Sequence, residues 1–368
     1  MNRSITLVSI VVMGSTAATC AAQDQSAGTL LAPKAFRAAA AKVEPSLVRI
    51  EGFGGITASA GGGYQAPGEG PTTGLIISSD GYIITSTFNF LRKPPVITVI
   101  LAPGQRRIAR LLGRDETRKI CLLKVDGVSD LPVPQFAPRG ELKVGQWAVA
   151  IGAGFGAKQT AISAGIISAT TRISGQAVQT DANTSPANYG GPLIDLDGRV
   201  IGICVPLTPG AQKEAAGTEC YDSGIGFAVP LDGLDGILDR LKSGQTLQHA
   251  FLGVHCHSFG DPPTGAQITT VVPHSAAAKA GLVEGDKIVV LGGTEILDTA
   301  HLATVIHGFL AGDKIEITVV RGSEWLTVTA ELVPLPVATP IAPSEKPDQG
   351  QKPKPGPPNR PQPELPPL

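Results

Sequence analysis

Residues 179–198 read Gln179-Thr-Asp-Ala-Asn-Thr-Ser-Pro-Ala-Asn-Tyr-Gly-Gly-Pro-Leu-Ile-Asp-Leu-Asp-Gly198. A short polar loop leads into Gly190-Gly191-Pro192, and an apolar run follows and ends at a turn. Glycine lets the backbone bend tightly, and such bends can aim amide groups at a developing negative charge. The stretch therefore predicts a sharp loop that enters a strand, in a form suited to an anion-binding or catalytic site.

The composition is that of a turn-rich chain with few charges. Its 368 residues include 45 glycines and 31 prolines, and only 17% are charged. This balance favours a mainly β protein, and the length is sufficient for two domains with a core in each. The formal net charge of -1 gives no electrostatic basis for binding nucleic acid or an anionic membrane.

Residues 1–22 have the features of a signal peptide. Arg3 supplies the positive start, residues 5–13 form an apolar run, and Cys20 and Ala22 are small residues before a cleavage site. An apolar run of about nine residues is too short to cross a bilayer. We therefore expect an exported protein that is periplasmic or associated with the cell envelope. Lipidation of Cys20 stays open, although Thr19 before it fits that modification poorly.

Four cysteines follow the predicted signal peptide. Cys204 and Cys220 flank a loop between two strand-like runs, so a disulfide could join them in an oxidising compartment. Cys121 stands in an apolar run and fits a buried core position. The four cysteines do not have the spacing of a zinc site.

Short apolar runs with turn residues between them dominate the first 230 residues. One helix is predicted over Lys34–Val43, because Pro45 follows, and a second over Asp232–Leu241 before a linker at Lys242–Gln245. A hairpin is predicted over Gly74–Thr85, with its turn at Asp80-Gly81. Further strands are predicted at Ser46–Glu51, Val96–Leu101, Cys121–Val125, Trp147–Ile151, Ala161–Ser168, Val200–Val205 and Gly224–Val229. Many short strands of this kind are typical of a barrel or sandwich.

Several segments, in one order along the chain, resemble the HtrA (DegP-like) family of trypsin-fold serine proteases. They are Asp80-Gly-Tyr-Ile-Ile-Thr85, Leu122-Leu-Lys-Val125, Ala164-Gly-Ile-Ile-Ser168, Gln179-Thr-Asp181 and Gly224-Ile-Gly-Phe-Ala-Val-Pro230. The resemblance covers nearly all of residues 35–336. It implies a trypsin-like double β-barrel, which we place at residues 33–241.

The catalytic positions of that family carry unsuited residues here. A trypsin-fold protease needs a serine nucleophile, a histidine base and an aspartate that orients the histidine. The resemblance places these roles at Tyr189, Phe88 and Lys119, respectively, so no catalytic residue is predicted. Ala187, Asn188 and Tyr189 form a vestigial oxyanion loop, whose amides at 188 and 189 could still make an anion-binding nest.

The distribution of histidine supports a non-catalytic member of the family. All six histidines lie between His249 and His307, so the barrel region has none to act as a base. The enzymatic alternative is a weak serine-type endopeptidase with an unconventional dyad, in which Ser185 would be paired with Lys119 or Lys158. The sequence favours the pseudoprotease.

Residues 249–336 resemble a bacterial PDZ domain. The matching segments are Phe251–Val254 and Ser275–Ile288, followed by a helix capped by Asp298 and a hairpin that turns at Arg321–Glu324. PDZ domains bind an extended peptide by strand addition. The resemblance implies a peptide-binding set of Phe251, Leu252, Gly253, Val254, His255, Leu302 and Ile306. His255 and His257 could chelate a metal, but two ligands without a third are more often a polar face, so neither a metal nor a cofactor is predicted.

Residues 337–368 contain eleven prolines and few large apolar residues, which predicts a disordered, polyproline-like tail. The sequence as a whole predicts a peptide-binding or protein-binding adaptor or regulator in the cell envelope. Its expected partners are peptides or protein C-termini, further copies of the chain, or active family members, but not nucleic acid. A structural envelope protein held by the tail is a second alternative.

Overall fold

The computed structural model describes residues 21–53, 72–91, 93–153, 160–207, 224–258 and 264–336, without the side chains of 21–31 and 53. Residues 1–20 of the predicted signal peptide, Lys158, Cys220 and the predicted tail lie outside these ranges. Within them, no helix is both long and apolar enough to cross a membrane.

The first helix, α1 (Ala21–Val43), ends at the predicted residue and begins earlier than the predicted Lys34. A 3-10 turn (Glu44–Ser46) follows it directly, and Pro45 within that turn stops the α-helix because its ring occupies the place of an amide hydrogen. Ala39 and Val43 of α1 are buried in a core cluster that includes strands of both barrels.

Six strands form the first barrel: β1 (Leu47–Phe53), β2 (Thr72–Ile76), β3 (Tyr82–Ser86), β4 (Val96–Leu101), β5 (Gln105–Asp115) and β6 (Ile120–Val125). They pair in the order β5-β4-β1-β2-β3-β6, and β6 pairs back onto β5 to close the barrel. The β2–β3 hairpin has the predicted turn, where the Ile77 amide donates to the Tyr82 carbonyl at 2.9 Å. Strand β5 was not predicted from the sequence, because its first four residues are exposed and include two arginines.

Six further strands form the second barrel: β7 (Trp147–Gly152), β8 (Ala161–Arg172), β9 (Ala177–Thr180), β10 (Pro192–Ile194), β11 (Val200–Val205) and β12 (Gly226–Pro230). They close in the order β10-β11-β12-β9-β8-β7. The predicted double barrel is therefore confirmed. Strands β10, β11 and β12 are buried along their whole length, as expected for strands packed against a second layer.

Helix α2 (Asp235–Lys242) follows the second barrel and leads into β13 (Thr246–Leu247). Residues 242–245 were predicted as a linker, and β13 directly after them pairs in parallel with β5 of the first barrel. The chain is thus held against the first barrel before it enters the next module.

The third module contains the predicted PDZ fold. Its elements are β14 (Ala250–Phe251), β15 (Val254–Ser258), β16 (Ala266–Val271), α3 (Ala276–Lys279), β17 (Lys287–Leu291), β18 (Thr294–Glu295), α4 (Thr299–Ile306), β19 (Lys314–Arg321), β20 (Glu324–Glu331) and β21 (Val333–Pro334). Its main sheet has the order β15-β16-β17-β19-β20, with β18 on β17. Asp298 caps α4 as predicted, since its carboxylate accepts a hydrogen bond from the His301 amide at 2.7 Å.

Candidate functional site

Phe88 and Tyr189, at the positions predicted for the base and the nucleophile, lie against each other. Phe88 is in the 3-10 turn Thr87–Phe90 after β3, and Tyr189 is in the loop before β10. Their ring centroids are 5.3 Å apart at an interplanar angle of 79°, which is an edge-to-face contact. Each residue is only 2% exposed. The two positions come together, but as a buried aromatic pair that leaves little of either ring open to a substrate.

Lys119, at the position predicted for the aspartate, directly precedes β6. Its φ of 57° lies in the left-handed region, which is uncommon for residues other than glycine. Its carbonyl accepts hydrogen bonds from the Thr87 amide at 2.9 Å and the Ser86 hydroxyl at 3.1 Å. Its backbone is therefore bound to the turn that carries Phe88.

The amides of the predicted oxyanion loop donate inside the loop. The Ala187 amide donates to the Ser185 hydroxyl at 3.3 Å, and the Asn188 and Tyr189 amides donate to the Ser185 carbonyl at 3.0 and 3.1 Å. The Ser185 amide in turn donates to the Asn188 side-chain oxygen at 2.7 Å. The anion-binding nest considered from the sequence is not formed, because its donors are used locally, and the hydroxyl proposed for a dyad acts here as an acceptor in the loop.

A buried polar network, not anticipated from the sequence, holds this loop against the first barrel. The Asn89 amide group donates to the Thr85 hydroxyl at 2.9 Å and to the Tyr189 carbonyl at 3.1 Å. The Thr85 hydroxyl donates to the Thr73 carbonyl at 2.6 Å, and the Thr73 hydroxyl donates to the Ala187 carbonyl at 3.0 Å. The signal for this network in the sequence is a polar residue, Asn89, directly after Phe88.

The possible bridge between Cys204 and Cys220 stays a prediction, because only Cys204 lies within the described residues. Cys204 is a free thiol with 0% exposure, packed in the core of the second barrel. Burial raises the pKa of the Cys204 thiol to about 12, which disfavours the thiolate needed for exchange. Cys121 is also free and fully buried, in agreement with the core position predicted for it.

In the PDZ module, the predicted peptide-binding strand β15 lies at the edge of its sheet. It pairs with β16 on one side, and no described strand pairs with its other edge. The loop before it is fixed from inside, because Leu252 and Gly253 accept hydrogen bonds at 2.9 Å from the Ala277 and Val272 amides. Gly253 has a φ of 83°, and a Cβ there would lie 2.2 Å from the Ser275 Cβ, so this position requires glycine.

Helix α4 packs beside β15 and forms the second wall of a groove. Leu302 is buried, and Ile306 and Val254 are half-buried against the same PDZ core. The hydroxyls of Ser258 and Thr299 are 3.2 Å apart and link the end of β15 to the start of α4. The predicted residues therefore lie at the end of β14, in the loop after it, on β15 and on α4, and the edge of β15 that no described strand pairs with suits an added strand.

His255 and His257 are both exposed on β15, and a β-bulge between His255 and Cys256 interrupts the strict alternation of faces. Among the described residues, no group of three or more His, Cys, Asp or Glu side chains is arranged to hold a metal ion.

The chain was compared with known families and relatives. Residues 72–203 match the trypsin-like peptidase domain family, and residues 242–332 match the PDZ domain family. A probable periplasmic serine endoprotease DegP-like of Marinomonas sp. (strain MWYL1) is 33% identical over 293 residues, which are 76% of this chain and 60% of the relative. A protein of the same description from Pseudomonas fluorescens is 35% identical over 274 residues, which are 71% of this chain and 55% of the relative. The chain is thus similar to DegP-like serine endoproteases over 71–76% of its length.

Solved structures share the fold of this chain. Two structures of the HtrA-type protease AlgW, one with a decapeptide and one with a tripeptide, each align with a TM-score of 0.62 over 82% of this chain. They cover 99% and 98% of those chains, at 24% and 25% identity. The chain spans 55–60% of the length of the two curated relatives.

A packed seam joins the PDZ module to the first barrel. We define the seam as the β13–β5 pairing, the leucine cluster and the polar contacts beside it. The cluster consists of Leu122, Leu241, Leu247 and Leu310. Arg240 pairs with Asp313 at 3.0 Å, and the Gln176 side chain donates to the His307 carbonyl at 3.1 Å. The PDZ module is therefore fixed to the barrels by apolar and polar contacts together.

His249 lies in this seam, with its ring centroid 6.2 Å from that of His307. Its Nδ1 atom is buried and has no hydrogen-bond partner among the described residues. Burial lowers the pKa of His249 below its ordinary value, and nearby His307, Lys119 and Arg118 lower it further, while Asp115 opposes them. The seam is thus built to hold this imidazole in its neutral form.

We expect acid to loosen the seam. A histidine with a lowered pKa in the docked state stabilises that state fully at neutral and higher pH, and the contribution is lost as the pH falls below the ordinary imidazole value. Hydrogen exchange of residues 246–249 should therefore accelerate more between about pH 7 and about pH 5.5 than the intrinsic pH dependence of exchange explains. His249→Gln should remove most of this response, whereas His274→Gln, at an exposed position, should retain it. An unchanged response in His249→Gln would assign the effect to another group.

Proposed function

We propose that this HtrA/DegP-like chain is a non-catalytic, cell-envelope protein that binds peptides or protein C-termini through its PDZ groove. The observation that carries the proposal is the buried contact between Phe88 and Tyr189, which occupies the positions of the base and the nucleophile. The absence of histidine from the first 248 residues supports it, since a shifted base is not available in the barrels. The relatives named as periplasmic DegP-like endoproteases support the family and the envelope location.

Peptide binding is supported by the PDZ geometry. The open edge of β15, the glycine-dependent loop before it and the adjoining helix α4 are the parts that strand addition requires. An adaptor with this groove captures exposed chain ends. Association with active family members would bring the captured ends to a protease, whereas association with further copies of the chain would bring several grooves together.

The proteolytic part of the proposal is tested with casein and a serine-reactive phosphonate probe. The purified chain should leave casein intact and remain unlabelled, because removal of a full triad lowers turnover by about 10⁶-fold in a known case. An active family member serves as the positive control. Cleavage that survives stringent purification would overturn the proposal, and the labelled residue would identify the nucleophile, with Ser185 as the first residue to inspect.

Peptide binding should depend on Gly253. Gly253→Ala places a Cβ against Ser275 at a positive φ, so the loop must shift, and the affinity for a C-terminal peptide should fall at least about tenfold. Gly293→Ala is the matched control, because Gly293 has a φ of 78° and open space around its Cβ position. Isothermal titration of both full-length variants measures the difference. Equal affinities in the two variants would argue against this loop as the binding element.

A further inference from the structure

The histidines of this chain are concentrated around the proposed groove. All six lie in residues 249–307, and three of them are on the strand and the helix that adjoin there. His255 and His257 are on β15, and His301 is in the first turn of α4. His249 and His307 contact each other in the seam, and His274 stands in the segment before α3.

The elements that frame the groove carry no other group that gains or loses charge near neutral pH. Strands β15 and β16 and helix α4 read Val-His-Cys-His-Ser, Ala-Gln-Ile-Thr-Thr-Val and Thr-Ala-His-Leu-Ala-Thr-Val-Ile, without Asp, Glu, Lys or Arg. Burial raises the pKa of the Cys256 thiol to about 11, so it remains neutral. The formal charge of these three elements is therefore set by their imidazoles.

The charged groups on neighbouring elements are few. Asp298 caps α4 and accepts a hydrogen bond from the His301 amide. Lys287, on β17, is paired in register with Gln267 of β16, and its ammonium donates to the Thr264 hydroxyl. The adjoining residues 259–263, which include Asp261, lie outside the described residues.

The three imidazoles are placed where a ligand can reach them. His255 and His257 are exposed, and His301 is half-buried. The His301 Nδ1 atom accepts a hydrogen bond from the Leu297 amide at 3.3 Å, so the proton of the neutral ring is on Nε2. His257 precedes Ser258, and His301 is two residues after Thr299, so they flank the hydroxyl contact that joins β15 to α4.

A peptide added to β15 places alternate side chains on opposite faces of the extended sheet. Side chains that do not enter the groove then lie beside those of β15 itself. Histidine is the side chain that gains its charge between about pH 8 and pH 5, and a carboxylate within a few ångströms of an imidazolium is attracted to it. A carboxylate of the peptide that lies beside these side chains would therefore be attracted to an imidazole that carries a proton.

We propose that the groove selects peptides with acidic residues near the C-terminus and binds them more tightly as the pH falls. The inference rests on the proposed peptide binding and adds the ligand class and its control by pH. Two features carry it: three histidines on β15 and α4, and the lack of Asp, Glu, Lys and Arg on β15, β16 and α4.

The test uses the full chain and two rhodamine-labelled decapeptides that share an apolar C-terminal residue. One carries Asp at the second and fourth positions from the end, and the other carries Asn there. Fluorescence anisotropy is measured with EDTA present at about pH 7.5 and about pH 5.5, two values on either side of the ordinary pKa of histidine and above that of aspartate. We expect the Asp peptide to bind about tenfold more tightly at the lower pH and the Asn peptide to change by less than about threefold.

Histidine variants identify the residues that cause the gain in affinity at the lower pH. The double variant with His255→Gln and His257→Gln should lose most of the gain for the Asp peptide, while His274→Gln retains it. His249→Gln should also retain it, which separates the groove from the seam. Equal gains for both peptides, no gain for either, or a full gain in the double variant would overturn the inference while leaving peptide binding standing. Absence of binding by both peptides at both pH values would instead overturn the proposed function itself.

Discussion

A triple variant with Phe88→His, Lys119→Asp and Tyr189→Ser is expected to remain inactive against casein. Restoring the three side chains does not restore the oxyanion donors, because the Asn188 and Tyr189 amides point back to the Ser185 carbonyl. Loss of one such donor costs about 10²–10³-fold in turnover in a protease of known mechanism. The substitutions also remove the two buried aromatic rings of Phe88 and Tyr189, so the new side chains lack the packing contacts that fix this part of the loop.

The same variant should be much less stable than the parent chain. Truncation of a buried Phe costs about 3–5 kcal/mol of the free energy of unfolding, so Phe88→Ala alone should have an effect of that size. Combining Phe88→Ala with Tyr189→Ala in a double-mutant cycle should give a coupling of about 0.5–1.5 kcal/mol, the usual value for an aromatic pair. Denaturant unfolding measures these values.

Casein cleavage by the triple variant, with probe label at residue 189, would show that the loop can release its amides.

Gly190→Ala is expected to be among the most damaging single substitutions in the chain. Gly190 has a φ of 87°, and a Cβ there would lie 2.2 Å from the Thr85 hydroxyl oxygen and 2.4 Å from the Thr73 carbonyl oxygen. Backbone strain and collision with the first barrel act together, so the free energy of unfolding should fall by about 4 kcal/mol or more.

Gly145→Ala provides the control for backbone strain alone. Gly145 has the same φ of 87°, but no atom lies within 4 Å of its Cβ position. This variant should lose only about 1–2 kcal/mol, the cost of a left-handed L-residue. Urea unfolding of the two variants separates the two contributions. If they are equally stable, the close approach of the loop to Thr85 and Thr73 is not what fixes Gly190.

The sequence predicted features that depend on neighbouring residues. The Asp80-Gly81 turn with its flanking strands, and Asp298 as the cap of α4, were identified because each signal lies within a few residues. Phe88, Lys119 and Tyr189 could be placed by family resemblance. Their contact could be expected, but the angle and burial of the aromatic pair could not be read from the sequence.

What the sequence did not predict depends on contacts between distant segments. The two arginines at the start of β5 interrupt the apolar pattern of a strand, and the strand forms because β4 and β6 pair with it on either side. The network from Asn89 to Thr73 and Ala187 joins residues up to 114 positions apart. The burial of Cys204 in the core of the second barrel likewise depends on residues that are distant in sequence.

The seam has a consequence for modularity. Leu247 lies between the barrels and the PDZ fold in sequence, yet it is 1% exposed and shares one cluster with Leu122 of the first barrel and Leu310 of the PDZ module. A cut immediately before residue 249 would leave Leu310 without its partners and remove a strand from β5. Exchange of PDZ modules between relatives should therefore succeed only when β13 and the surface that it covers are inherited together, so that the unit of recombination is larger than the PDZ fold.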